Sequence, residues 1–342
     1  MRSSDFDYPL PAERIAQEPL AERDASRLLH LRPDGGIEDR RFLELPELLR
    51  EGDLLVVNET RVRRARLTGI DRSGQTMELL VLAREPGGEY QCLARPARLA
   101  TPGAVITIGS DLTATVTGVS ALHRGGRTVT FDSDDPDRAI ERAGMAPLPP
   151  YIHTELHDPE RYQTTYATGD PDSAAAPTAG LHFTAAVIER LPRAGIGWAT
   201  LRLEVGLATF APIRAEQVED HPMHEERYVL PDVTVRAIEE TRRGGGRVVA
   251  VGTTVVRVLE TCARDGHLRA GAGSTGLFIH PGHTFRAVDG LLTNFHQPRS
   301  SLLVLLAAFT GDQRWREAYA HALDARYRFL SLGDCMLCWR AA

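Results

Sequence analysis

The sequence contains no lysine; all 40 residues of the Lys-plus-Arg class are arginine. That excludes Schiff-base chemistry and the phosphate-binding lysine of a P-loop, and leaves any general base to His, Asp, Glu, Tyr or Cys. Cysteine is scarce as well. Cys92, Cys262, Cys335 and Cys338 are too few for a dense disulfide framework. Cys335 and Cys338 have C-x-x-C spacing, but no second pair and no nearby histidine completes a zinc site, so two buried structural thiols are expected. No apolar run approaches the roughly 20 residues that span a bilayer. The opening MRSSDFDYPLPAERIAQ lacks the apolar core of a signal peptide, so a cytoplasmic protein with no membrane partner is expected. A formal net charge of −6 argues against non-specific nucleic-acid binding, while leaving room for a local basic face that docks one folded RNA.

What is present divides by texture. The 342 residues are enough for two domains at about 150 residues each. Residues 1–60 mix short helical and strand signals and end in GDLLVVNET, whose apolar run Leu54–Val57 predicts a strand buried on both faces. From Arg61 to about Asp135, short alternating segments (MELLVLA, AVITIG, LTATVTGV) are separated by glycine-rich turns, which predicts a barrel or sandwich. PLPPY at 147–151 closes that region. Beyond it the pattern is α/β. A helix is expected over 185–194 with Thr184 as N-cap, then a strand in GWATLRLEV and a helix near 232–243 with Gly244 at C′. RVVAVGTTVVRVLE reads as a buried strand, a turn and a helix. LLTNF repeats the strand-then-turn pattern, and SSLLVLLAAF reads as a buried helix capped by Ser300. The last helix, from about 312, sets Trp315, Tyr319 and Leu323 on one stripe. The expected architecture is an α/β main domain formed by both chain ends (1–61 plus 147–342), with an all-β barrel inserted at 62–146.

Four polar turns follow apolar strands: NETR at 58–61, APTAGLHFT at 176–184, GTT at 252–254 and TNFH at 293–296. Ligands of open α/β sheets bind beyond the carboxyl ends of the strands. If the strands are parallel neighbours, Asn58, Thr60, Arg61, Thr178, His182, Thr253, Thr254, Asn294 and His296 converge there. Gly180 permits a positive φ or a close ligand. His182 and Thr178 would face the helix that begins at Ala185, whose free N–H groups suit an anion or polar ligand. Thr253 and Thr254 would serve equally as helix caps, and Arg257, one turn into that helix, as a solvated charge. In EDHPMHEE, 219–226, His221 and His224 lie three apart among Glu219, Asp220 and Glu225. On a helix they would share a face, a spacing that suits a metal pair. Pro222 disfavours that helix, and a carboxylate-held histidine suits acid–base work better.

Taken together, DFDYPLP, ERDASRLL, GDLLVVNETRV, PLPPYI, RYQTTYA, AAPTAGLHF, EDHPMH, VAVGTTVVR, LLTNFHQPRSSLL and YRFLSLGD resemble, nearly end to end, the S-adenosylmethionine:tRNA ribosyltransferase-isomerases of queuosine biosynthesis. The resemblance implies a β-barrel inserted in an α/β domain and a metal-free enzyme that uses S-adenosylmethionine as ribosyl donor. The implied acceptor is 7-aminomethyl-7-deazaguanine in a tRNA anticodon stem-loop; the sugar rearranges to an epoxycyclopentanediol, and adenine and methionine leave. A monomer is expected. Under this reading His182, His221, His224, Glu225 and Asp334 handle protons, while Asn58, Thr60, Arg61, Thr178, Gly180, Thr253, Thr254, Arg257, Asn294 and His296 hold donor and base. The chain departs from the family pattern at Glu204, Leu207 and Ala208, where His-Val-Gly-x-Gly-Thr-Phe is usual, and at Arg64, Val255 and Leu332. Several of these positions are expected to border the pocket. Two other readings fit such departures: the same donor with a non-tRNA acceptor, or a catalytically silent nucleotide- or RNA-binding homologue.

Overall fold

The computed structural model describes residues 1–120, 125–206, 209 and 212–341. Its elements begin with β1 (Arg27–Leu31), β2 (Ile37–Arg41), α1 (Leu45–Leu48), β3 (Leu54–Asn58) and β4 (Arg61–Val62). There follow β5 (Arg66–Asp71), β6 (Thr76–Arg84), β7 (Tyr90–Arg95), β8 (Val105–Ile108), β9 (Leu112–Val119), β10 (Gly126–Asp132) and α2 (Pro136–Ala143). The second half holds β11 (Pro171–Ser173), α3 (Ala185–Arg190), β12 (Gly197–Leu203), β13 (Glu226–Leu230), α4 (Asp232–Arg243), β14 (Val248–Val251) and α5 (Thr253–Cys262). It closes with β15 (Gly271–Thr275), β16 (Gly290–Asn294), α6 (Ser301–Thr310), α7 (Asp312–Asp324) and β17 (Cys335–Trp339). Two compact units result, one of residues 1–61 and 149–342, the other of residues 62–148.

In the larger unit nine strands run in the order β15-β13-β12-β3-β14-β16-β17-β1-β2. The four at the centre, β12, β3, β14 and β16, are parallel. Their continuous apolar runs are what a sheet covered on both faces requires. Alternation then sorts the side chains. Leu54 and Val56 join the core built with α4, α5, α6 and α7, whereas Leu55 and Val57 pack with Leu45, Phe183 and Val187 on the other face. The same alternation settles the thiols. Cys335 and Cys338 stand three apart on β17, so they enter opposite cores; both are unpaired, and burial drives each far above the usual thiol range.

Helix ends follow the local chemistry. Ser300 Oγ accepts from the Leu303 N–H at 3.2 Å and starts α6, which is apolar on nearly every side and buried. α3 ends at Arg190 rather than at 194, because Pro192 has no N–H to continue it and opens a 3₁₀ turn. After α4 the left-handed residue is Gly245, at φ +77°, and Gly244 keeps helical angles. His221–Glu225 is not helical: a 3₁₀ turn ends at Asp220, and the chain then runs extended through Pro222 into β13.

The smaller unit is a closed barrel in the order β10-β7-β6-β5-β8-β9. Its inward positions, such as Leu112, Ala114 and Val116 on β9, alternate with outward ones and form a separate core.

Candidate active site

Three of the strand-end turns meet in one cleft. β14 ends at Val251, and Gly252 turns the chain at φ +91°, a conformation that would strain any L side chain. Thr253 and Thr254 then open α5. Neither hydroxyl caps that helix, so the first N–H groups of α5 stay free at the cleft. β16 ends at Asn294, with His296 two residues on, and the chain reaches Ser300 at the start of α6. The third wall is the turn Ala176–Ala179. The cleft is also lined by Tyr151, Val205, Thr209, Gln297, Leu330 and Ser331. Among the described residues its lining carries no carboxylate and no guanidinium. Its polarity comes from hydroxyls, amides, one imidazole and two helix N-termini.

Asn294 is nearly fully buried, and its amide orientation is set by what surrounds it. Nδ2 donates to His182 Nε2 (3.2 Å) and lies against the carbonyls of Leu330 (3.3 Å) and Asp334 (3.4 Å). A flipped amide would place oxygen against those two carbonyls. The remaining atom, Oδ1, is buried without a hydrogen-bond partner among the described residues, an acceptor left open in a residue that lines the cleft.

Because His182 Nε2 accepts from Asn294, its proton sits on Nδ1 and is donated to Ser26 Oγ at 2.8 Å. Ser26 in turn donates to the Arg23 carbonyl at 3.2 Å. Burial first, and then the charges of Arg23 and Arg328, push His182 down to about 4. Both ring nitrogens are therefore engaged and the ring is neutral, stacked on Phe42 at 5.2 Å. His182 stands behind Asn294 and does not line the cleft. Nor does it face a free helix end. Thr184 caps α3, and its hydroxyl donates to Asp24 at 2.7 Å, so a carboxylate already occupies that terminus.

His296 is held differently. Its N–H donates to Tyr319 Oη at 2.8 Å, its carbonyl accepts from Tyr8 Oη at 2.5 Å, and Nε2 lies 3.1 Å from Thr293 Oγ1. Burial pushes the imidazole down to about 3. Its Nδ1 has no partner among the described residues. Two phenols, the half-buried Tyr8 and the buried Tyr319, both kept protonated by desolvation, thus fix the backbone of the imidazole among the described residues of the cleft.

A second pocket shares Thr209 and Leu302 with the first. His221, His224 and Phe278 line it, and burial lowers His221 below its usual value. Arg257 also lines it and is not a solvated charge. It is buried, ion-paired with Glu226, and donates to the carbonyls of Leu277 and Thr275 at 3.0 Å each. Glu226 further accepts from Gly206 N (2.7 Å) and Thr209 Oγ1 (3.1 Å).

Other expected site residues are employed elsewhere. Asn58 is fully buried and continues the β3–β12 ladder, bonding the Leu203 carbonyl and N–H at 3.0 and 3.1 Å. Thr60 donates to Asp172 (3.0 Å), and Arg61 pairs with Glu160 (3.1 Å). None of the three lines the cleft. Gly180 has no positive φ; it is required because a Cβ there would stand 2.0 Å from Tyr166 Oη. Glu225 is exposed and accepts from Ser274 at 2.9 Å, and the buried carboxylate of that motif is Glu226. Asp334 accepts from the N–H groups of Arg27 (2.9 Å) and Arg328 (2.8 Å) and clamps a loop. Glu204 pairs with the exposed Arg227 at 2.8 Å, away from the cleft lining, Val255 is a core residue, and Leu332 lines a smaller notch. Arg64 belongs to the barrel unit. Leu207 and Ala208 lie outside the described residues. Sequence reasoning missed Tyr151, whose Oη is 2.6 Å from Ser331 Oγ, and Tyr8 and Tyr319; nothing local marks them, because each acts on a residue far along the chain. Among the described residues no group of three or more His, Cys, Asp or Glu side chains is placed to hold a metal ion, and no helix is long and apolar enough to cross a membrane.

Fold and cleft together define an α/β protein with an inserted barrel and an uncharged polar site beyond its parallel strands. The chain belongs to the family described as queuosine biosynthesis protein, whose model matches residues 3–338. A relative from Symbiobacterium thermophilum, named S-adenosylmethionine:tRNA ribosyltransferase-isomerase, is 49% identical over 98% of this chain and 99% of its own. One of the same name from Thermotoga maritima is 49% identical over 98% and 99%. The crystal structure of S-adenosylmethionine tRNA ribosyltransferase from Thermotoga maritima matches with TM-score 0.57 and 41% identity over 98% of this chain and 99% of that one.

Proposed function

We propose that this chain transfers the ribosyl moiety of S-adenosylmethionine to 7-aminomethyl-7-deazaguanine in a tRNA anticodon stem-loop. The sugar isomerises to give epoxyqueuosine-tRNA, and adenine and methionine are released. The names of the relatives support the reaction. The observation that carries the chemistry is the charge-free cleft beneath the N-termini of α5 and α6.

The donor is a sulfonium cation whose C5′–H must be lost as a proton to form an ylide. Among the described residues the cleft holds no carboxylate to pair with the sulfonium, and the two helix N-termini face the place where the carbanion of the ylide forms. His296 is assigned as the proton acceptor: its ring is neutral, its backbone is fixed, and Nδ1 is open. The Asn294 amide, oriented by His182 and Asp334, presents Oδ1 to an N–H of adenine or of the attacking amine. Thr178, Thr253, Thr254 and the N–H groups of α5 supply donors to the nucleoside. His221 and His224, in the adjoining cavity, accept a proton from the aminomethyl ammonium, which must be uncharged to attack.

The assignment is tested with His296→Gln in a single-turnover assay of adenine release. Loss of a general base lowers the rate by about 10²–10⁴-fold, with S-adenosylmethionine affinity, read by calorimetry, retained. Turnover at the wild-type rate would remove His296 from the mechanism.

A further inference from the structure

Beside the cleft, and sharing Ser331 with it, lies a notch of about 320 Å³ walled by Arg23, Arg161, Ser26 and His182. Arg328 stands close enough for its charge to act on His182. These arginines are anchored unusually. Arg23 donates to the carbonyls of Leu181 (3.1 Å) and Glu160 (2.8 Å), Arg161 to those of Ala21 (2.8 Å) and Leu20 (2.5 Å), and Arg328 to that of Glu18. Among the described residues none of the three guanidinium groups has a carboxylate within ion-pair distance. By contrast, the half-buried Arg247 and the buried Arg257 are paired with Asp53 and Glu226. Arg161 Nε and Arg328 Nη1 are buried without a hydrogen-bond partner among the described residues. The crowding is felt: burial and the charge of Arg161 lower Arg23, and the opposing pull of Asp158 and Glu160 does not cancel them.

Carbonyl anchors fix the direction of a guanidinium without neutralising it. Like charges gathered in a partly buried wall are unfavourable until an anion joins them, and a planar guanidinium fork suits tetrahedral phosphate oxygens. A chain of net charge −6 that docks RNA needs such a local positive site. We propose that this notch binds a backbone phosphodiester of the RNA acceptor next to the reacting base, held by Arg23 and Arg161 in its wall and strengthened by the nearby charge of Arg328. The inference rests on the tRNA reading above and deepens it.

The test is tRNA binding by the full-length protein across a salt series. Loss of one phosphate contact makes the plot of log affinity against log salt shallower by about 0.7–0.9. That change is expected in Arg161→Gln and in Arg328→Gln, with S-adenosylmethionine affinity unchanged. Arg161→Lys, which keeps the charge, should keep the slope, and Arg328→Gln carries the test if Arg161→Gln does not fold. Wild-type slopes in both glutamine variants would overturn the notch and leave the proposed reaction standing. Weakened donor binding with an unchanged RNA slope would also overturn it, by giving the anion as the donor's carboxylate. A wild-type protein that binds no tRNA would overturn both readings.

Discussion

Burial moves His182 and His296 far from solution behaviour, to folded values of about 4 and about 3 against an ordinary 6.5. The unfolded chain therefore takes up protons near pH 6.5 that the folded protein refuses until well below pH 5. Between those values the unfolded state binds more protons, so stability rises with pH across the window and falls on acidification. At pH 5 each histidine costs about 2 kcal/mol relative to neutral pH. Urea midpoints at pH 7 and pH 5 should fall further for the wild-type protein than for His182→Asn, by about that amount. Equal losses would mean that His182 is not buried as a neutral ring. Both histidines were visible in the sequence as polar residues after strands. Their different duties were not, since Ser26, Phe42, Tyr8 and Tyr319 come from distant parts of the chain.

At the scale of elements, local chemistry was legible wherever one residue type decides the outcome. Leu54–Val57 and Val248–Val251 announced strands covered on both faces, Ser300 announced the start of α6, and Gly252 marked the turn into α5. Elsewhere a tertiary neighbour engages the polar group: Asn58 extends a strand ladder, Arg257 pairs with Glu226, and Asp334 accepts from two backbone N–H groups. Gly180 is the sharpest instance: its small size accommodates the Tyr166 hydroxyl. Gly180→Ala should destabilise the protein by about 1–3 kcal/mol through overpacking. Thermal unfolding would detect it, and Tyr166→Leu in the same chain should recover most of the loss. An unaltered midpoint in Gly180→Ala would show that the packing is looser than these contacts imply.

For the whole molecule, the α/β sheet and the barrel were both readable from hydrophobic periodicity, because continuous and alternating runs do not resemble each other. What periodicity could not give is which strand ends are neighbours. Parallel pairing of β3 with both β12 and β14, and of β14 with β16, brings residues 176–179, 252–254 and 293–297 to one cleft, while the turn at 58–61 is spent on structure. The lack of charge among the described residues of the cleft is a property of the assembled lining that no single motif carries. The most direct measurement is mass spectrometry of the products formed from S-adenosylmethionine and tRNA bearing 7-aminomethyl-7-deazaguanine. The account predicts free adenine and methionine in equal amounts and an epoxycyclopentanediol on the tRNA base; S-adenosylhomocysteine with methylated RNA, or no adenine release, would contradict it.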